Sequence, residues 1–467
     1  MEYTMLMGIR FKANPTAHQR RVLSQWMGCA RLIWNAKCDE ERYYTTFARK
    51  YYPIGTYAPI DQTTAQFKSP ELTPWLSLCP SQILRNSAVN WHQTFQKFMK
   101  GQCGKPKRKS KSDQGSIHVT RELFCFEKGR DGVTRLFIGS KRNNIGYLSF
   151  KKHRAFQLPH SLYIKKERGR YTLSFCYDNG QDARDLKTGQ EHLAYLHGAT
   201  REYLERYTIG IDRGVVIPAQ AGDQAFDLTP AQKQHKARAE RYIKRLQKRL
   251  SRQQKGSSHR RKTKYRIAAY HAKSTHIRRD FCHQTSRKLI NSTPKIFIFE
   301  DLRTAYMTRH PKPQQDPQNN FIPNKAAQKA GLNRAILDKG WHQLETFTEY
   351  KAYQAGKAVF KVSANHTSQE CADCGHIHPD NRKSQALFQC GRCGHTDNAD
   401  RNASLIIKKR AIHFILDTGS VLSERGVLSS SGTGRGVMSK TDKGKPLSAS
   451  DREASKKKRV RLPVKAA

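Results

Sequence analysis

The sequence predicts a multidomain chain that joins an α/β domain to a helical region and a small antiparallel β domain, and three observations carry that expectation. Between residues 117 and 177 short runs of alternating polarity recur, the period-two pattern of antiparallel strands. Two short apolar runs, YTIGID ending at Asp212 and KIFIFE ending at Glu300, are separated by long helical patterns, as in an open α/β sheet. Finally, two Cys-x-x-Cys pairs, Cys371/Cys374 and Cys390/Cys393, stand just before another acid, Asp400.

Taken in order, residues 5–12 alternate loosely and read as a first strand that stops at Asn14-Pro15, expected as an N-cap and first-turn proline. Val22, Trp26, Ala30, Ile33 and Ala36 then mark one face of a helix. After a Pro- and Gly-containing loop at 52–62, a second helix opens at Ser81 with Leu84, Ala88, Trp91, Phe95 and Met99 as its stripe. Trp91 and Phe95 are expected in the core rather than stacked on bases. Residues 101–116 are basic and aperiodic, a solvated or phosphate-contacting loop. Strands are expected at 123–126, 134–139, 146–150, 161–165 and 171–177, forming a small sheet or barrel, and 178–206 reads as a polar connector.

From residue 207 the character changes. A strand ends on Asp212, a helix opens at Thr229-Pro230, and a second helix follows the GSS at 256–258. Between Lys233 and Arg266 there are 15 Lys or Arg and one carboxylate, Glu240, a ratio that would repel itself unless a polyanion lay along it. Pro294 ends that region, and the run that follows has the near-continuous apolarity of a strand covered on both faces. Residues 302–320 read as a loop, 326–356 as one helix with Trp341, Leu344 and Phe347 inward, and 358–363 as a further strand. A helix is expected from Asp400 to about residue 415, and residues 416–467 read by composition as a disordered basic tail.

The 467 residues carry 86 Lys+Arg against 38 Asp+Glu, a formal charge of +48, which implies a polyanionic partner. A merely basic surface would share the balance, so charge alone does not separate an enzyme on nucleic acid from a binder. No stretch is long and apolar enough to span a membrane, and residues 1–13 lack the apolar core of a signal peptide. Seven of the 11 cysteines are scattered singly, which argues for a reducing compartment rather than a disulfide framework. A soluble, cytoplasmic protein is expected, with no membrane partner.

Cys371, Cys374, Cys390 and Cys393 form two knuckles separated by enough chain for a ribbon, the ligand set of one structural tetrahedral zinc. His366, His376, His378 and His395 lie nearby, but four thiolates fill such a site, so they are expected at the surface or on nucleic acid. Asp212 and Glu300 end strands, and acids at strand ends in an α/β sheet point into the crevice where ligands bind. With Asp400 they make a candidate carboxylate cluster for two Mg2+ in phosphodiester hydrolysis. Asp223, Asp227, Asp301 and Asp397 compete for the same roles, and Asp397 or Asp400 could instead cap the helix.

The segments YTIGIDRG, GSSHRRK, IFIFEDL, Gly340-Trp341, SQECADCGH, FQCGRCGH and NADRNAS, in this order, resemble the TnpB family of insertion-sequence proteins and the compact type V CRISPR nucleases related to them. The likeness spans about residues 207–410, includes the Arg401-Asn402 pair, and extends to IGYLSFKKHR and LYIKKERGRYTLSF, similar to the family's wedge-domain strands.

What the resemblance implies is a RuvC-like, RNase H-type nuclease fold at 207–415, with the zinc ribbon inserted at 366–398. It also implies a helical recognition domain at 14–116, and a wedge β-barrel at 117–206 completed by a first strand at 1–13. Asp212, Glu300 and Asp400 would be the metal triad, Asp212 bridging both Mg2+. The protein would be an RNA-guided DNA endonuclease of a prokaryotic transposable element, working at the nucleoid. It would cut double-stranded DNA beside a short flanking motif, with guide RNA and target DNA as partners and a separate transposase from the same element as a further one. Alternatives are a miniature CRISPR effector and an RNA-guided repressor without cleavage. A transposase using a His-x-His motif is disfavoured, because the one such motif, His376 and His378, lies inside the cysteine ribbon.

Overall fold

The computed structural model describes residues 4–47, 50, 64–111, 114–129, 133–182 and 186–430. The loop expected at 52–62 and the chain beyond 430 lie outside the described residues. The chain divides into two units, one of residues 1–185 and 241–272, the other of 186–240 and 273–467.

In the first unit, strand β1 (Thr4–Ala13) turns into the long helix α1 (Ala17–Thr46). The N-cap is Thr16, not Asn14, because Gln19 three residues on completes a capping box: Gln19 N donates to Thr16 Oγ1 at 3.3 Å and Thr16 N donates to Gln19 Oε1 at 3.0 Å. Helix α2 (Ser81–Met99) buries Leu84, Ala88, Trp91 and Phe95 and leaves Met99 exposed. Trp91 stacks on Phe95 at 5.2 Å in a cluster with Trp34 and Cys38, so both aromatics are core as expected.

Six strands follow: β2 (Gly115–Thr120), β3 (Phe124–Lys128), β4 (Thr134–Gly139), β5 (Asn144–Lys151), β6 (Ser161–Glu167) and β7 (Arg170–Asp182). With β1 they form one seven-stranded antiparallel sheet in the order β2-β6-β7-β1-β5-β4-β3. The edge strands β2 and β3 are separated only by the 3-10 turn Arg121–Leu123, so the two edges meet at one corner, but no ladder joins them among the described residues. A curled open sheet therefore stands where a sheet or closed barrel was expected. One face is filled by Phe11, Val119, Leu136, Leu148, Leu162 and Leu173, together with the apolar faces of α1 and α2.

The second unit begins where a polar connector was expected. Two short helices, α3 (Gly189–Leu196) and α4 (Arg201–Tyr207), bury Leu193, Leu196 and Leu204, and each is capped by a threonine, Thr188 or Thr200. Its sheet takes the order β10-β9-β8-β11-β14 from β8 (Thr208–Asp212), β9 (Ala219–Ala221), β10 (Gln224–Phe226), β11 (Ile296–Glu300) and β14 (Ala358–Val362). Strands β8, β11 and β14 are parallel, β9 pairs antiparallel with β8, and β10 pairs antiparallel with β9. Helices α5 (Pro230–Ser251) and α6 (Ser258–Asn291) carry the basic run. Their facing ends, 241–272, belong to the first unit, where Tyr242 stacks on Tyr270 at 5.0 Å.

Past β11 come the single turn α7 (Thr304–Met307), the two-residue strands β12 (Gln314–Gln315) and β13 (Phe321–Ile322), and then α8 (Ala326–Lys339) and α9 (Trp341–Gln354). One helix was expected here, but Gly340 takes a φ of 72° and breaks it, and a Cβ at that position would stand 3.0 Å from Arg278 Cδ. The cysteine ribbon contains β15 (Leu387–Gln389) and β16 (Thr396–Asn398), and α10 (Ala399–Leu416) closes the unit. The tail expected from 416 starts later: β17 (Ser420–Leu422) and β18 (Leu428–Ser430) form a hairpin, held because Leu428 is buried beside β14 and α10.

Side-chain alternation on β11 explains its apolar run. Ile296 and Ile298 enter a core with Phe360, Ile407, Ile412 and Ile415, while Phe297 and Phe299 enter another with Phe281, Leu289 and Leu344. The strand is covered on both faces, as its composition requires.

Candidate active site

Register places the first two acids together. Strand β11 runs parallel to β8 with Phe299 opposite Ile211 and Ile298 opposite Gly210, so Glu300 and Asp212 are the next pair at the carboxyl ends of neighbouring strands. Both have the parity of Ile298, so they lie on the face that α10 covers.

Gly210 brings the third acid to them. A Cβ at Gly210 would stand 2.1 Å from the Ser404 carbonyl oxygen and 2.8 Å from Lys408 N, so only glycine lets α10 lie this close to β8. Asp400 is one helical turn before Ser404, a rise of ~6 Å, and Asp212 is two strand residues beyond Gly210, about the same distance. The helix runs antiparallel to the strand, so the two acids come out at one end. Asp400 Oδ2 would lie 3.8 Å from a Cβ at Gly214, in the turn directly after Asp212. The helix cap is Asn398, whose side chain accepts from Asp400 N at 3.0 Å and from Arg401 N at 3.1 Å, so neither Asp397 nor Asp400 is needed as a cap.

The electrostatics match convergence. Burial, followed by the charges of Glu300 and Asp400, pushes the Asp212 carboxyl from 3.8 up to about 8. Burial also raises Glu300, against the hydrogen bond from Thr367 and the charges of Arg213 and Arg410. Asp400 is raised by burial against Arg382, whose Nη2 donates to Asp400 Oδ1 at 3.2 Å. Glu300 is 6% exposed and Asp400 4%, whereas Asp212 is half-buried and so the most open of the three.

The competing acids are spent elsewhere. Asp223 and Asp397 pair with Arg401, Asp227 with Lys233, and Asp301 with Arg425. Among the described residues no such ion pair joins Asp212 or Glu300 to a cation. Carboxylates that lie close together without ion-pair partners could hold a hard cation, which prefers oxygen ligands.

The four cysteines form the expected cluster, their sulfurs all within 4.8 Å of one another. Cys371 Sγ lies 3.7 Å from Cys393 Sγ and Cys374 Sγ 3.6 Å from Cys390 Sγ. A tetrahedral zinc with bonds of about 2.3 Å needs sulfurs ~3.8 Å apart, so the residues fit that ion. Both knuckles share one construction: Cys371 N donates to His376 O and Cys390 N to His395 O, with Gly375 and Gly394 at φ of 72° and 75° closing the turns. Amides point at the sulfurs, Asp373 N to Cys371 and Arg392 N to Cys390, each at 3.4 Å. The four histidines near the ribbon do not join the cluster.

Several residues that support the acids went unnoticed in the sequence. Arg213, buried behind Asp212, donates to the Glu300 carbonyl and to Glu345, which also pairs with Lys361. Thr367 donates to Glu300 Oε1, and Arg410 holds Glu370. Asn402, already singled out in the sequence with Arg401, joins α10 to the first knuckle, accepting from Ala372 N at 2.9 Å and donating to Glu370 O at 2.8 Å. An Arg following a strand-end acid, or a Thr before a cysteine knuckle, carries no periodicity that marks it as functional.

Three family models match parts of the chain: one described as a probable transposase (the OrfB family of IS605) over residues 175–310, a Cas12f1-like TNB domain over 341–407, and a helix-turn-helix domain over 1–44. In this chain residues 4–44 fold as β1 and most of α1, one strand and one helix. The chain is 26% identical over 420 residues to InsQ of Escherichia coli (strain K12), named for RNA-guided DNA endonuclease activity, covering 89% of this chain and 95% of that protein. It is 40% identical over 72 residues to a CRISPR-associated endodeoxyribonuclease, Cas12f1, of Sulfoacidibacillus thermotolerans, covering 15% and 17% of the two chains. Among solved structures it resembles a Cas12f1–sgRNA–target DNA complex at a TM-score of 0.51 and 12% identity, covering 87% of this chain and 99% of that one. The resemblance read from the motifs is borne out.

Proposed function

We propose that this chain, a relative of the IS605 OrfB proteins and of RNA-guided DNA endonucleases, is itself a Mg2+-dependent DNA endonuclease directed by a guide RNA. The observation that carries the reading is the convergence of Asp212, Glu300 and Asp400 at one end of the β8–β11–α10 junction, with no ion pair among the described residues neutralising the first two, in a chain of charge +48. The open sheet with acids at its carboxyl ends supports the RuvC-like, RNase H-type assignment, and the curled sheet with α1 and α2 supports the wedge and recognition assignments. The name of the relative from Escherichia coli, an RNA-guided DNA endonuclease, supports guide RNA and target DNA as partners.

Asp212, Glu300 and Asp400 would hold the Mg2+ ions. When bound there, the ions supply an activated water and charge stabilisation at the leaving oxygen in phosphodiester hydrolysis. The chain's own residues orient the carboxylates. Arg213 fixes the Glu300 backbone, Arg382 balances Asp400, and Gly210 sets the helix-to-strand distance. Cys371, Cys374, Cys390 and Cys393 would hold one zinc and keep the ribbon folded beside Asp400. The basic α5–α6 hairpin offers phosphate contacts, whose number sets how steeply binding falls with salt.

The test is cleavage of a matched duplex carrying a flanking motif, by protein purified with its co-expressed RNA, with and without Mg2+. Cutting that depends on Mg2+ and on guide match is expected. Guide-dependent binding with no cutting at any Mg2+ concentration would assign the protein to the repressor reading instead. An insertion-sequence end in the co-purified RNA supports a transposable-element origin, with a separate transposase as its neighbour. A CRISPR repeat favours the effector reading.

A further inference from the structure

Before the first cysteine knuckle lies a turn that the zinc site does not explain. His366 takes a φ of 58°, a left-handed conformation that a non-glycine residue adopts only where its surroundings hold it. Here they do. Arg410 of α10 donates to the Ser363 carbonyl at 3.0 Å and to the Asn365 carbonyl at 2.7 Å, and also pairs with the Glu370 carboxylate. Within the turn, Glu370 N donates to His366 O at 3.0 Å, and the His366 ring contacts Gln369 Oε1 at 2.9 Å.

The residue this turn presents is Thr367, 4% exposed, with its hydroxyl against Glu300 Oε1. A hydroxyl has one proton to give. The alternative acceptor, the Ala364 carbonyl, is 3.3 Å away, so the proton goes to the nearer glutamate oxygen. Glu300 is thereby held at Oε1, which fixes the orientation of its carboxylate. We propose that Thr367 is a positioning residue for Glu300, and that Arg410 makes this positioning depend on α10, the helix that carries Asp400. The second and third acids would then be set by one braced turn rather than independently. The proposal rests on the reading of these acids as Mg2+ ligands.

The experiment compares T367V and T367S with the unsubstituted protein, each as the RNA-bound complex, by direct Mn2+ binding and by the Mg2+ concentration needed for half-maximal cleavage. Valine keeps the shape and removes the hydroxyl, so both cation constants should rise about tenfold, the scale of a hydrogen bond to a charged group, while duplex binding and one zinc per chain are retained. Serine should restore both constants to within about twofold, since it keeps the donor. R410Q should shift the constants in the direction of T367V. Cation constants unchanged in T367V, or equally poor in T367S, would overturn the proposal, and so would loss of zinc in T367V, which would assign Thr367 to the ribbon fold. D212A separates the two layers: if it binds Mn2+ as well as the unsubstituted protein, the metal-site reading itself fails.

Discussion

Gly210 of β8 lies against Ser404 of α10 so closely that a methyl group on the glycine would stand 2.1 Å from the serine carbonyl oxygen. This contact sets how near the first turn of α10, and with it Asp400, comes to Asp212. G210A must push backbone rather than a flexible side chain, so it should destabilise the second unit by about 1–3 kcal/mol, the usual cost of overpacking, or more. Thermal melting reads that change, and cleavage should fall with it. An unchanged melting temperature would show that the helix is not seated as described.

Among the acids, D212A should abolish cleavage and leave guide-RNA and target binding intact, because Asp212 is flanked by both other carboxyls. D223A and D301A remove acids already held in ion pairs with Arg401 and Arg425 and should still cut. Gel-shift and cleavage assays on the same preparations distinguish the two groups. Cutting by D212A would falsify the triad.

Zinc content gives an independent measurement. The protein should carry one zinc per chain, and C374S should lose it and soften the ribbon, because a structural zinc site contributes folding energy directly. Arg382 lies between the knuckles and meets Asp400, so cleavage should fall along with zinc. Zinc retained at full stoichiometry in C374S would contradict the four-thiolate site.

The pH dependence of the metal-free protein follows from Asp212, whose carboxyl is raised from 3.8 to about 8. A raised acid binds more protons folded than unfolded, so folding stability is highest below about pH 4 for this group and falls as pH rises toward 8. Melting of the chelated protein should therefore drop across that window, less so in D212N. Added Mg2+ should recover the loss at the alkaline end by binding the folded state alone. A melting profile identical in D212N would show that Asp212 is not the group responsible.

Arg213 is 4% exposed and stands between the Glu300 carbonyl and Glu345. Removing one partner of a buried pair leaves a charge uncompensated, so R213A should cost about 3 kcal/mol, moderated because Lys361 still meets Glu345. Denaturant midpoints check this. A loss no larger than that of a surface arginine would place Glu345 in contact with solvent.

Much of this protein follows from sequence alone. The cysteine spacing determined the four-cysteine cluster, because two knuckles joined by a short ribbon bring their four thiols together. Alternation determined most strands of the first sheet, apolar runs determined β8 and β11, and apolar stripes determined α1 and α2, since burial imposes its pattern on the residues themselves. Strands β2, β9 and β10 were not read from the sequence. The three acids stood out by their position at strand and helix ends. Tertiary structure alone decided that they meet: β8 and β11 had to align so that Glu300 follows the Phe299–Ile211 pair, and Gly210 had to admit α10. It also decided which acids are left unpaired, because Arg401 and Arg425 reach Asp223 and Asp301 across 178 and 124 residues of chain. Thr367, Arg382 and Arg410 were invisible for the same reason. A hydrogen bond or an ion pair depends on where two side chains end up in space, and it leaves no periodic trace in the sequence that places them.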